Sequence, residues 1–505
     1  MVEKFRVMDI YKNSEIWFVT GSQHLYGEEV LKRVNEDSEL IAGYLDKSQD
    51  IPVKVVFKPV LTSSDAITGL CSQANNDDKC IGLITWMHTF SPSKMWLNGL
   101  KSLTKPILHF HTQFNRDIPW NDIDMDFMNL NQSAHGGREF GFAGARLRLE
   151  RKVVTGHWKD KQCIEEIAIW LRAAVALADT KKLRIARFGD NMRDVAVTEG
   201  DKVSAQIQMN YSVHGYGVGD LAKECNDISD KDIEKLTGEY RDSYRVGDND
   251  ILKSDFLKDA ARIEIGLRNF LVRGGFKAFT TTFEDLHGLP QLPGLAVQRL
   301  MAEGYGFGAE GDWKTSALVR SMKVMANGLA GGTSFMEDYT YHLEPGKTAV
   351  LGAHMLEICP SISGEKPKLE IHPLSIGGKE DPARLVFKAG PGNGINASII
   401  DLGNRFRMLL NPVRVIECPD MPKLPVASVL WEPAPDLKTA ATAWIIAGGA
   451  HHTGFSTALD KRYLHDFGSM LGIEIVNIDR DTKIEEFKNE LRWNELFFHF
   501  KGGMA

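Results

Sequence analysis

At 505 residues the chain is too long for a single hydrophobic core, and at roughly 150 residues per domain it is expected to form about three domains. Apolar residues make up 43% and charged residues 25%, as in an ordinary globular protein, and no apolar run approaches the length of a membrane span. The net charge of −7 gives no electrostatic case for nucleic acid or an anionic membrane as partner; a small neutral substrate is expected instead.

The N-terminal MVEKFRVMDIYKN is charged throughout and lacks the apolar stretch of a secretory signal. Six scattered cysteines (Cys71, Cys80, Cys163, Cys225, Cys359, Cys418) form no C-x-x-C pair, which fits a reduced, cytoplasmic chain. EIWFVTG (15–21) predicts a buried strand and is followed by a helical pattern over 28–45. VKVVFKPV (53–60), CIGLITWM (80–87) and PILHFHT (106–112) predict further strands, and 163–182 a long helix. The alternation implies a parallel sheet between helices over residues 1–182. It restarts with a strand at 182–191, a helix at 255–275, a strand at 276–283 and a helix at 313–328, which predicts a second α/β domain over 183–332. From 333 to 505 short strands are broken by Gly, Pro and Asn, with a hairpin turn expected at PGNG (391–394). That texture predicts an antiparallel barrel or sandwich, joined by helical stretches at 439–449 and 481–497.

Carboxylates and imidazoles cluster in loops of the last 200 residues. Glu310 lies in GYGFGAEGDW, Glu337 in GGTSFMEDYTYH, His354 in VLGAHMLEIC, and His451 and His452 in GGAHHTG. Two carboxylates and imidazoles without a thiolate suit a divalent ion of intermediate hardness, Mn²⁺ first, with Co²⁺ or Mg²⁺ as alternatives. Each residue taken singly also fits a surface or capping role, and Glu337–Asp338 also fits a closed turn. On an extended backbone His451 and His452 face opposite ways, so one site takes one of them. GFGAEG (306–311) matches G-x-G-x-x-G, but the helical pattern before it and the acids Glu310 and Asp312 exclude a dinucleotide reading, and no nucleotide cofactor is expected. TGSQHLYG (20–27) and NLNQSAHGGREFGF (129–142) offer amide, hydroxyl and imidazole groups suited to a polyol, or to satisfying their own loop backbone.

EIWFVTGSQHLYGEE, WMHTFSPSKMW, MNLNQSAHGGREFGF, RFGDNMRDVAVTEGDKV, TTTFEDLHGLPQLPG, GYGFGAEGDWKTSALVR, GGTSFMEDYTYH, LGAHMLEICPSI and AGGAHHTGFS together resemble the L-arabinose isomerases, in order and across nearly the whole chain. The resemblance implies two Rossmann-like α/β domains and a C-terminal β-barrel-like domain, in a homohexamer with active sites where subunits meet. It implies conversion of L-arabinose to L-ribulose, with D-galactose to D-tagatose as a side activity. Its metal ligands fall on Glu310, Glu337, His354 and His452, the second histidine of GAHHT, which leaves His451 a supporting role. Its sugar-contacting positions fall on Gln23, Leu25, Phe90, Gln132, His135, Met192 and Phe283. The expected chemistry runs through a cis-enediol with Glu310 and Glu337 as acid/base pair, against a hydride shift. A glycoside hydrolase, which also needs paired carboxylates, and a non-catalytic two-lobed sugar-binding protein are the competing readings.

Overall fold

A computed structural model describes residues 8–247, 249–374, 376 and 378–502. The backbone divides into two units, Met8–Ala178 and a second that begins at Asp179.

In the first unit five strands, β1 (Glu15–Gly21), β2 (Lys54–Phe57), β3 (Cys80–Met87), β4 (Ile107–His111) and β5 (Lys152–Thr155), form a wholly parallel sheet in the order β2-β1-β3-β4-β5. All eight residues of β3 are buried, as a central strand covered on both faces requires. Helix α1 (Glu28–Lys47) buries Val34, Ile41, Ala42 and Leu45, one stripe of the helical repeat, while its charged residues other than Asp37, which meets His88 at 2.9 Å, are exposed. Trp17, Leu83, Met87 and Trp96 share one core cluster with Phe140 of α2 (Ser133–Arg146).

The second unit opens with another parallel sheet, built from β6 (Arg184–Phe188), β7 (Ser212–Tyr216), β8 (Ala278–Thr281) and β9 (Gly306–Ala309) in the order β9-β8-β6-β7. Helix α3 (Asp255–Gly274) is capped by the Ser254 hydroxyl and stopped by Gly275 in the left-handed conformation. Helix α4 (Trp313–Met325) is buried along its whole length although it carries Lys314, Arg320 and Lys323. Arg320 is matched by the Asp179 carboxylate at 2.7 Å, which Lys277 also reaches at 2.7 Å.

The last third is a mixed, largely antiparallel sheet. β10 (Thr333–His342), β11 (Ala349–Ala353), β12 (Gly392–Asp401), β13 (Phe406–Ile416), β14 (Ser428–Pro433) and β15 (His452–Ser456) pair in the order β12-β15-β10-β11-β14-β13, and β12 pairs again with β13, so the ladder returns on itself. β16 (Glu474–Asn477) adds to β13 in parallel. One turn differs from expectation. PGNG does not reverse the chain: Gly392, Asn393 and Gly394 are already paired with Val415, Arg414 and Val413. The hairpin turns instead at Leu402–Arg405, where the Leu402 N–H donates to the Arg405 carbonyl, Gly403 takes φ +83° and the Asp401 carboxylate accepts its N–H. Among the described residues no helix is long and apolar enough to cross a membrane.

Candidate active site

Glu310 follows β9 at the carboxyl end of the parallel sheet, the end at which such sheets hold ligands. Its φ of +60° is left-handed, which costs a non-glycine residue about 1 kcal/mol. The surroundings fix that conformation. The Gly311 N–H donates to the Thr281 carbonyl, and the Glu310 carbonyl accepts from the Met192 N–H at 3.0 Å. A Cβ on Gly306 would lie 2.2 Å from the Ser316 carbonyl oxygen, and one on Gly308 2.4 Å from that of Asp312. The first two glycines of GFGAEG therefore sit inside a strand and let α4 pack directly on it, which is a structural reason for the G-x-G match.

The other candidate ligands come from neighbouring antiparallel strands. Glu337 in β10 pairs in register with His452, the first residue of β15, on one side and with Ala353, the last of β11, on the other. His354 follows Ala353. The donor atoms of Glu310, His354 and His452 lie within 4.8 Å of one another. His452 Nε2 is 3.6 Å from Glu310 Oε2, and His354 Nε2 is 3.8 Å from Glu337 Oε2. Phe335 packs edge-on against both imidazoles, with centroids at 5.1 and 5.2 Å.

Each imidazole is held from behind by a buried carboxylate. His354 Nδ1 lies 2.5 Å from Glu357 Oε2, and His452 Nδ1 lies 3.3 Å from Asp312 Oδ2. Asp312 also accepts the Thr315 N–H as the cap of α4 and pairs with Lys314 at 3.2 Å. His452 Nε2 is buried and has no hydrogen-bond partner. A buried ring nitrogen left unpaired, facing a carboxylate beyond hydrogen-bond range, with its opposite nitrogen on a second carboxylate, has the arrangement of a metal ligand. The residues present fit a divalent ion. Asp312 and Glu357 carry no distinctive signal in the sequence: one reads as a helix cap two residues after Glu310, the other only as a carboxylate three residues after His354.

The two histidines of GGAHHTG do not part as alternation predicts. His451 precedes β15, so the extended-strand rule does not apply to it, and the two ring centroids are only 4.3 Å apart. His451 Nε2 reaches to 3.9 Å from Glu310 Oε2 and is 37% exposed, whereas His452 is fully buried. Burial pushes the Glu310 carboxyl up, but His451, His452 and His354 outweigh it and hold the carboxyl below its usual range. The nearby Glu310 carboxylate raises His451. Burial lowers His354, and Glu357 more than offsets that, so it too is raised. Burial next to Glu337 pushes Asp338 up to about 7.

The sugar-contact candidates fall in both units. In the first, Gln132 Oε1 lies 3.1 Å from His135 Nδ1, and the Phe90 and His135 rings are 4.6 Å apart. Gln23 and Leu25 lie on the loop after β1, with Leu25 83% exposed. The Ser22 and Thr89 hydroxyls, 2.7 Å apart, tie that loop to the one carrying Phe90. In the second unit, Met192 is joined to Glu310 by the backbone bond above. Phe283 follows β8, next to Glu284, whose carboxylate accepts the Arg193 N–H.

Three family models match the chain consecutively: the L-arabinose isomerase N-terminal domain over residues 10–182, the central domain over 184–328 and the C-terminal domain over 332–474. The chain is 60% identical over 488 residues to the L-arabinose isomerase of Geobacillus thermodenitrificans, spanning 96% of this chain and 98% of that one. It is 62% identical over 496 residues to that of Koribacter versatilis (97% and 99%), and 58% identical over 499 residues to that of an Enterobacter species (98% and 100%). With the donor cluster at the carboxyl end of the central sheet and relatives matched end to end, the chain belongs to the L-arabinose isomerase family.

Proposed function

We propose that this chain interconverts L-arabinose and L-ribulose, accepts D-galactose to give D-tagatose, and uses Glu310, Glu337, His354 and His452 to hold a divalent ion, Mn²⁺ before Co²⁺ or Mg²⁺. The observation that carries the metal reading is the unpaired, fully buried His452 Nε2 beside Glu310 and His354. Such an ion polarises the sugar carbonyl and stabilises negative charge on O1 and O2. The chain's own part is proton transfer. One of Glu310 and Glu337 removes the C2 proton of the open-chain aldose and returns it at C1, and the other carries the hydroxyl proton between O2 and O1, so that a cis-enediol stands between aldose and ketose. His451, within reach of Glu310, tunes that carboxylate. Gln23, Leu25, Phe90, Gln132, His135, Met192 and Phe283 place the sugar.

The finer architectural readings accompany this proposal: two Rossmann-like domains (1–182 and 183–332), a β-barrel-like third (333–505), and a cytoplasmic homohexamer. The ring of strand pairings supports the barrel. An apolar contact face finds support in the exposed Trp120, Met125 and Phe142. Incubating metal-stripped enzyme with L-arabinose, with and without Mn²⁺, tests the function: ketose is expected only with the ion, and its absence in both removes the isomerase reading. Deuterium at C2 of L-arabinose tests the route. Exchange with solvent is expected, and full transfer to C1 would establish a hydride shift. Glu310→Gln and Glu337→Gln are each expected to lower kcat by at least about a hundredfold.

A further inference from the structure

Lys323 is nine-tenths buried near the end of α4, and its surroundings differ from those of the other buried cations of that helix. Lys314 and Arg320 each face a carboxylate, at 3.2 and 2.7 Å. Among the described residues Lys323 faces none. Its Nζ donates to the Thr333 carbonyl at 2.6 Å and lies 3.4 Å from Cys359 Sγ. Cys359 is fully buried. Its N–H donates to the Ser334 hydroxyl, and its Sγ is 3.2 Å from the Ser361 hydroxyl, which donates to the same Thr333 carbonyl. A buried ammonium without a carboxylate is costly. Burial pushes Lys323 down, toward the neutral, nucleophilic amine.

We propose that Lys323 and Cys359 form an oxidisable pair that dioxygen joins through a nitrogen–oxygen–sulfur bridge. The C–S–H and C–NH2 groups and O2 give C–S–O–NH–C and one water. Sulfur and nitrogen each lose two electrons. One oxygen atom stays as the bridge, and the other leaves as water with the thiol hydrogen and one amine hydrogen. Dioxygen is small and apolar and enters packed interiors without a polar channel. The flexible lysine stem supplies the remaining approach to sulfur. The bridge would join the helix whose cap, Asp312, holds His452 to the segment that carries His354 and Glu357. The inference does not depend on the isomerase reading, since its test reads a covalent bond.

The test exposes the full chain to air-saturated or anaerobic buffer, alkylates free thiols under denaturing conditions, digests with trypsin and reads masses. Expected only in the aerobic sample is residues 321–347, uncleaved after Lys323, linked to residues 348–368, with one oxygen gained and two hydrogens lost. Excess dithiothreitol should remove it. A chain held in concentrated urea during exposure should not form it, because the fold supplies the approach. Cys359 recovered fully alkylated from the aerobic sample would overturn the proposal, as would oxygen on Cys359 alone, a link lacking oxygen, or equal cross-linking in urea.

Discussion

The two histidines at the heart of the donor cluster each have a carboxylate behind them, and that is what separates them from ordinary core histidines. Glu357 meets His354 Nδ1 at 2.5 Å and Asp312 meets His452 Nδ1 at 3.3 Å, so in both rings Nε2 is directed to the cluster. Glu357→Gln is the cleaner test, because Asp312 also caps a helix. Removing such a carboxylate behind a ligand is expected to weaken Mn²⁺ affinity by roughly 10- to 100-fold with the thermal midpoint of the apo-protein little changed. Titration of the stripped protein measures it, and unaltered affinity would make Glu357 structural only. His452→Ala should cost more affinity than His451→Ala, and the reverse order would invert the assignment of the pair. The residue types of this site were legible from composition: carboxylates and imidazoles in glycine-rich loops, without thiolates. The choice between His451 and His452 was not, because the alternation rule holds inside a strand and β15 begins only at His452. Asp312 and Glu357 were hidden because a capping aspartate and a loop glutamate look ordinary until the fold brings an imidazole against them.

Most elements were legible because their patterns are strong: β3 falls where its uninterrupted apolar run predicts, and α3 ends at the glycine pair that closes its stripe. PGNG misled because glycine and asparagine mark an extended strand as readily as a turn when a neighbour packs close, and the reversal fell eleven residues later. The same ambiguity explains GFGAEG, whose glycines serve the contact of α4 with β9. Gly308→Ala would press a methyl against backbone at 2.4 Å, an overpacking expected to destabilise by about 1–3 kcal/mol and to weaken metal binding by displacing Glu310. Gly238→Ala is the control. That helical glycine has open space around it, so the substitution should stabilise by roughly 0.5–1 kcal/mol in a urea melt. The element α4 also rests on Asp179. Burial raises this carboxyl, but Arg320 and Lys277 outweigh it and hold it below its usual range. Its folded pKa is therefore below its unfolded value. The stability it contributes is complete above the unfolded pKa and is lost as pH falls from there through the depressed folded value. Melting midpoints of wild type should fall with acid in that window, and Asp179→Asn should be less stable at neutral pH by about 3–5 kcal/mol and flatter with acid. Equal slopes would remove Asp179 from the acid response.

At the scale of the molecule the candidate residues separate in part, since Met192 and Phe283 of the sugar contacts lie in the same unit as the metal donors. Glu310, Glu337, His354 and His452 all belong to the unit that begins at Asp179, whereas Gln23, Leu25, Phe90, Gln132 and His135 belong to residues 8–178. Substitutions at the sugar contacts of residues 8–178 should therefore change sugar affinity and spare metal affinity. Gln132→Ala is expected to raise KM for L-arabinose while leaving Mn²⁺ binding as in wild type, and Glu310→Gln to weaken Mn²⁺ binding. Neither the assembly nor the origin of each site is written in local sequence patterns, because neither belongs to one segment; in the proposed hexamer Leu25, 83% exposed in the single chain, would be covered by a second copy. The proposed hexamer makes this testable with these two variants, assayed at an L-arabinose concentration far below the raised KM of Gln132→Ala, where each alone is nearly inactive. If one copy supplies the sugar contacts and another the metal donors, then a randomly mixed oligomer of Gln132→Ala and Glu310→Gln chains contains sites that receive an intact half from each. With equal amounts, about one quarter of the sites combine both intact halves. Dissociating the two variants together and reassembling them should then restore activity toward about one quarter of wild type, although either alone stays near zero. If every site is built within one copy, no combination is intact and the mixture stays as inactive as its parts, which would refute the shared-site arrangement while leaving the isomerase reading to the ketose assay.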